Sequence, residues 1–108
     1  MSDAFQDREN TFEQMFANDE TLRFKAVARR NKALAHWIAQ TKGLSADAAD
    51  AYAEDFLGAQ VGKSDDDVAA AIRAALAGGA DADLSDHRLR RRMSEAMAAA
   101  VESVRAGK

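Results

Sequence analysis

Apolar residues along most of this chain recur every three or four positions, the spacing at which one face of an α-helix repeats. The alternation typical of a strand is missing from the sequence. Four such stripes can be traced, the first with Asn31 interrupting it. They comprise Phe24, Val27, Leu34 and Ile38; then Leu44, Ala48, Tyr52, Phe56 and Ala59; then Val68, Ala71, Ile72, Ala75 and Leu76; and finally Leu89, Met93, Ala96, Met97, Ala100 and Val104.

Serine and glycine mark the ends of these segments. Ser45, Ser64 and Ser85 stand where an N-cap is needed, because a serine hydroxyl accepts a bond from an unpaired backbone N–H. Glycine, which tolerates a left-handed backbone after a helix, follows every segment. The pattern predicts helices over residues 19–42, 45–61, 64–77 and 85–106. Short loops between amphipathic helices favour an all-α, compact four-helix bundle over residues 19–108.

Composition agrees with this fold and removes several kinds of chemistry. Alanine accounts for 26 of the 108 residues, whereas Val, Ile and Thr together number ten, a balance that favours helix over sheet. The absence of cysteine removes disulfides, thiolate zinc sites and thiol nucleophiles. No apolar run reaches 18 residues and no secretory leader is evident, so we expect no insertion into a membrane.

Residues 1–18 differ from the rest. Phe5, Phe12, Met15 and Phe16 fall on one face of a potential helix, and three of the five phenylalanines of the chain lie here. A short helix outside a core is marginal alone, so we expect a flexible, helix-prone N-terminal segment. Periodicity leaves two interpretations open: the rings fold back on the bundle, or the segment docks on a partner.

Charge is separated along the chain. Residues 21–42 carry six basic and no acidic side chains, whereas residues 43–67 carry seven acidic side chains and one lysine. This separation suggests that the basic first helix packs beside the acidic second one, although exposed charge pairs contribute little.

Two basic motifs invite functional interpretations that we set aside. Gly62-Lys63-Ser64 ends like a phosphate-binding loop, but that motif needs a glycine at position 57, which is leucine, and a preceding strand. The cluster Arg88, Arg90, Arg91 and Arg92, like Arg29, Arg30 and Lys32, could meet nucleic acid. The net charge of −3 argues against that, and the acidic block Asp47, Asp50, Glu54 and Asp55 could offset these cations internally.

The residues also argue against an enzyme. His36 and His87 are the only histidines, lie on different predicted helices and form no metal-binding pair. We expect no metal, no cofactor and no catalytic residues, and a monomer when the protein is free. Trp37 and Tyr52 are interpreted as packing residues.

Specific strings carry a family resemblance over nearly the whole chain, most densely over residues 7–53. They are Asp7-Arg8-Glu9, Phe12-Glu13, Phe16-Ala17, Leu22-Arg23-Phe24-Lys25-Ala26, Ala28-Arg29-Arg30-Asn31-Lys32 followed by Trp37, Gly43-Leu44-Ser45, Ala51-Tyr52-Ala53 and Leu89-Arg90-Arg91-Arg92-Met93. The chain resembles the zeta subunit family of the F-type ATP synthases of alphaproteobacteria.

The resemblance implies a function that spacing alone does not. Zeta subunits are helical bundles whose N-terminal segment wedges into a catalytic α/β interface near the γ stalk, on the cytoplasmic side of the inner membrane. The wedge blocks ATP hydrolysis and reverse rotation more than synthesis. By position, the inhibitory segment here is residues 1–18, with Phe5, Phe12 and Phe16 as buried anchors and Arg8 and Glu9 setting the register.

The sequence departs from the family pattern at two places. The connection 57–63 is shorter and less acidic than is common, and Ser2-Asp3-Ala4 with Gln6 is an unusual N-terminus. The second departure leaves an alternative open: a zeta-like helical interaction module without inhibitory activity.

Overall fold

Each of the four described helices begins after a residue whose side chain caps it. In the computed structural model, which describes residues 19–79 and 81–107, the helices are α1 (Glu20–Thr41), α2 (Ala46–Ala59), α3 (Asp65–Leu76) and α4 (Asp86–Arg105). Within those residues there is no strand. The all-α bundle and the four predicted helices are confirmed, with ends differing by one or two residues.

The caps are those predicted from the sequence. The hydroxyls of Ser45, Ser64 and Ser85 each accept a hydrogen bond from the backbone N–H three residues later in the chain, at 3.4, 3.1 and 3.1 Å. Gly43 and Gly62 adopt φ of 74° and 76°, which only glycine enters without strain. The Gly62-Lys63-Ser64 string is therefore a helix end followed by a helix start, and Ser64 acts as an N-cap.

Helix α1 is the central element and packs mainly against α2 and α4. The predicted neighbourhood of the basic first helix and the acidic second one is thus present. The main core lies where α1 meets the other three helices, and Leu34, Ile38, Val68, Ile72 and Leu89 are essentially sealed from solvent there. A smaller cluster joins Ala26 of α1 to Met97, Val101 and Val104 of α4.

Not all of the predicted stripe is buried. Phe24, expected in the core, is 62% exposed, and Ala48 and Ala59 of α2 also face solvent. The helical register of Phe24 is correct, but it lies on the first turns of α1, where the antiparallel α2 has already ended. No described residue covers the outer side of its ring.

The buried face of α1 instead includes two polar residues. Arg30 and Asn31 are each 2% exposed, so Arg30, unlike the exposed Lys32, is not on the surface that a nucleic acid could reach. Its Nε donates to Asn31 Oδ1 at 3.0 Å, and its Nη1 donates to Asp65 Oδ1 at 2.6 Å. The buried Nη2 has no partner. The spacing of Ala26, Arg30 and Leu34, four residues apart, could have revealed this position.

The Arg30–Asp65 pair yields a stability prediction. Asp65→Ala should lower the free energy of unfolding by about 1–2 kcal/mol more than Asp66→Ala, because it removes the carboxylate that pairs with a buried guanidinium. The neighbouring Asp66 is 86% exposed and meets the half-exposed Arg90, so its loss should cost under about 1 kcal/mol. Both residues lie in the first turn of α3, so the helix-dipole contribution largely cancels. Urea unfolding followed by circular dichroism measures the difference, and equal losses would contradict the structural role of Arg30.

Candidate partner-binding surface

The chain enters the bundle at Asp19. Its Oδ1 accepts a hydrogen bond from the backbone N–H of Leu22 at 3.0 Å, which fixes the start of α1 at Glu20. The sequence-predicted site residues Phe5, Arg8, Glu9, Phe12 and Phe16 lie outside the described residues. The surface around the start of α1 is therefore the described part of the molecule nearest to them along the chain.

A groove of about 270 Å³ opens at this place, between the first turns of α1 and the turn that joins α2 to α3. Phe24, Val27, Leu57 and Val61 give it apolar walls. Asn31 and Gln60, both buried, are its polar residues, and Glu20, Arg23 and Lys63 add charge.

Two walls of this groove are unusual in their exposure. Phe24 and Val61 are each 62% exposed, and no other large apolar side chain in residues 19–79 and 81–107 is classed as exposed. Val61 is held in the turn by its N–H bond to the carbonyl of Gly58 at 3.4 Å, just before Gly62 reverses the chain. The two large apolar side chains that are exposed in the described protein thus belong to one groove, which is typical of an interaction surface.

Two members of the arginine cluster of α4, Arg90 and Arg92, make contacts inside the molecule. Arg90 contacts Asp66 of α3 at 2.8 Å and Asp86 at 3.6 Å. Partial burial alone would lower the pKa of Arg90, but the hydrogen bonds and charges of Asp66 and Asp86 outweigh it and raise the pKa above its ordinary value. The counter-charges of Arg90 thus come from the starts of α3 and α4 and not from the acidic block of α2 that the sequence suggested.

Trp37 anchors another member of that cluster. The guanidinium of Arg92 lies 4.4 Å from the centre of the Trp37 ring, a cation–π contact that joins α4 to α1. Trp37 and Tyr52 are both half-buried against the main core, as expected for packing residues. Tyr52 stacks on Phe56 with ring centres 6.3 Å apart.

Tyr52 offers a titration that reports on this packing. Desolvation by burial raises the pKa of Tyr52 above its usual value near 10. Because the neutral phenol is favoured in the folded state, its contribution to stability is complete below pH 10 and is lost as the pH rises through the raised value. Tyr52 is the only tyrosine, so phenolate absorbance should show a midpoint above that of the urea-unfolded chain. Coincident midpoints would contradict the burial of this ring.

The described residues contain no cluster of metal ligands. Across residues 19–79 and 81–107 no group of three or more His, Cys, Asp or Glu side chains could hold a metal ion. His36 is half-buried on α1 and His87 is exposed on α4. None of the described helices is both long and apolar enough to cross a bilayer.

Sequence reasoning missed the groove. It treated Phe24 as core and Val61 as the last residue of a helix, because periodicity shows which face a residue occupies and not whether a neighbour covers it. The signal that could have identified it was Gly62, which follows α2 and shows that this helix of 14 residues is too short to cover the whole of the 22-residue α1.

Comparison with known proteins assigns the family. The family model described as ATPase inhibitor subunit zeta matches residues 1–103, which include the N-terminal segment as well as nearly all of the bundle. No curated protein matches the chain, and no solved structure matches it. Since the match spans more than nine-tenths of the sequence, the chain belongs to the ATPase inhibitor subunit zeta family, a family of inhibitor subunits rather than catalytic ones.

Proposed function

We propose that this protein inhibits ATP hydrolysis by the F-type ATP synthase with residues 1–18, which enter a catalytic α/β interface of the head near the γ subunit. Phe5, Phe12 and Phe16 are the buried anchors, and Arg8 and Glu9 pair with polar groups of the cleft and set the register. Residues 19–108 form the bundle that stays outside the cleft. The complex lies on the cytoplasmic side of the inner membrane, where the ATP synthase holds the protein.

The observation that carries this proposal is the extent of the family match, which begins at residue 1 and so includes the three aromatic residues. The core of the bundle gives further support. Its two clusters are assembled from residues 22–104, and four helices already enclose them. The proposal assigns the apolar face of residues 5–16 to the partner.

The physical basis of inhibition is that a helix held between α and β prevents the catalytic interface from closing. Three aromatic rings on one face, which are large and have few rotatable bonds, are well suited to such a buried contact. A bundle that contacted only the outer surface of the head would leave the rotor free. Inhibition therefore requires the segment inside the catalytic interface and a bundle that is too large to follow the segment into it.

The one-directional nature of the block gives the test. Added to the cognate ATP synthase in membrane vesicles, the protein should suppress ATP hydrolysis at least tenfold more than ATP synthesis driven by a proton gradient. A tenfold difference corresponds to a preference of about 1.4 kcal/mol for blocking the hydrolysis direction. A mismatched bacterial ATP synthase serves as the control. Equal suppression of both directions would refute the one-directional block, and no suppression of hydrolysis would favour an interaction module without inhibitory activity.

A further inference from the structure

We propose that the groove of Phe24 and Val61 is a second contact surface for the same partner, continuous with the inhibitory segment. This inference rests on the proposed function. It assigns to the bundle a specific docking face and names the occupant: an apolar side chain of the ATP synthase head at the mouth of the cleft that receives residues 1–18.

Chain length places the groove at that mouth. Glu20, the first residue of α1, lines the groove and lies four residues beyond Phe16. Four residues span at most about 14 Å when extended and about 6 Å when helical. A partner that buries the ring of Phe16 must therefore present its own surface to the first turns of α1.

The first turns of α1 bring charge to the groove as well as apolar surface. Glu20 and Arg23 line it beside Phe24 and Val27. Asp19, whose backbone is extended and whose side chain caps α1, marks the point where residues 1–18 join this surface. A partner that receives the segment therefore meets both the apolar and the charged residues at the start of α1.

Exposure gives the independent evidence that the apolar side of this groove is uncovered in the free bundle. Phe24 and Val61 lie mostly in solvent, although the described protein buries its other large apolar side chains fully or in part. A contact that covers both would remove this exposed apolar area. Lys63 beside Val61 is exposed and favours a carboxylate next to the apolar side chain of the partner.

Because Phe24 and Val61 are mostly exposed, both can be substituted with little effect on the folding of the bundle. We expect Phe24→Ser and Val61→Ser each to raise the concentration needed for half-maximal inhibition of the cognate head by about tenfold, and the double variant by more. The melting temperature should stay close to that of the unchanged protein, because neither side chain is buried. Lys32→Ser, exposed on α1 outside this groove, is the matched control and should leave inhibition unchanged.

The outcomes separate this inference from the function on which it rests. Unchanged inhibition by the Phe24 and Val61 variants, with inhibition still lost on removal of residues 1–17, overturns the docking face and leaves the inhibitory segment in place. Stronger inhibition by the Phe24 variant also overturns it, because the groove would then be holding the protein's own N-terminal segment. A concentration-dependent sedimentation change of the free protein that Phe24→Ser abolishes would instead identify a second copy as the occupant.

Discussion

Removal of residues 1–17 should abolish inhibition of ATP hydrolysis while the bundle stays folded. The described core clusters of α1 to α4 are built from residues 22–104, and the cap of α1 at Asp19 is retained in the shortened chain. The free energy of unfolding and the helical circular dichroism signal of the bundle should therefore change little. Inhibition should fall below detection, because the groove alone cannot obstruct a catalytic interface.

The comparison that isolates the segment uses the same assay on two shortened chains. One lacks residues 1–17, and the other lacks only residues 106–108, beyond the last helix. The second should inhibit normally. If the first also inhibits normally while folded, the inhibitory surface lies on the bundle and the proposed role of residues 1–18 is wrong.

Replacing single aromatic rings should weaken inhibition strongly without any change in fold. Phe12→Ala and Phe16→Ala should each cost about 2–4 kcal/mol of binding, the range of buried anchors in interfaces, which corresponds to about 30-fold to several hundredfold in affinity. Phe5→Ala should cost less if that end of the segment is only partly enclosed. Titration of the head's ATPase activity with each variant gives the ratios.

A substitution on the other side of the same helix is the control for this series. Gln14 lies about 180° from the aromatic face when the segment is helical, so Gln14→Ala should change the affinity by less than about threefold. Equal losses for Gln14→Ala and Phe12→Ala would contradict an anchoring face made of the rings. If only Arg8→Ala lowers the affinity for the head, charge pairing and not the apolar rings provides most of the binding energy of the segment.

The architecture was predictable because its determinants are local. Ser45, Ser64 and Ser85 cap the helices they precede, and Gly43 and Gly62 terminate theirs with a positive φ. Stripes with helical spacing then specify which faces meet. The family was also recognisable, since the strings around Arg29 and Trp37 are specific and the family match covers residues 1–103.

The burial of Arg30 and the exposure of Phe24 were not predicted from the sequence, because both depend on neighbouring helices. Arg30 has the sequence of an exposed cation, but α3 supplies Asp65 and α1 itself supplies Asn31, and these two partners allow its burial. Phe24 has the spacing of a core residue, but α2 ends before reaching it. No single-helix pattern contains this information, because it depends on where a second helix stops.

The roles of Phe5, Arg8, Glu9, Phe12 and Phe16 remain predictions of a different kind. These roles come from the family resemblance, and the five residues lie outside the described part of the chain. The structure shows where the segment that carries them joins the bundle, which is at Asp19.

The central claim, that residues 1–18 occupy a catalytic interface of the head, is tested most directly by cross-linking. The chain contains no cysteine, so Gln14→Cys creates its only thiol, on the face away from the anchoring rings. A short thiol-reactive cross-linker, applied to the inhibited complex and mapped by mass spectrometry, should join position 14 to residues at an α/β catalytic interface. Ala99→Cys, on the exposed side of α4, should not reach them. Cross-links from position 14 that lie only on the outer surface of the head, in a complex that is still fully inhibited, would contradict the account.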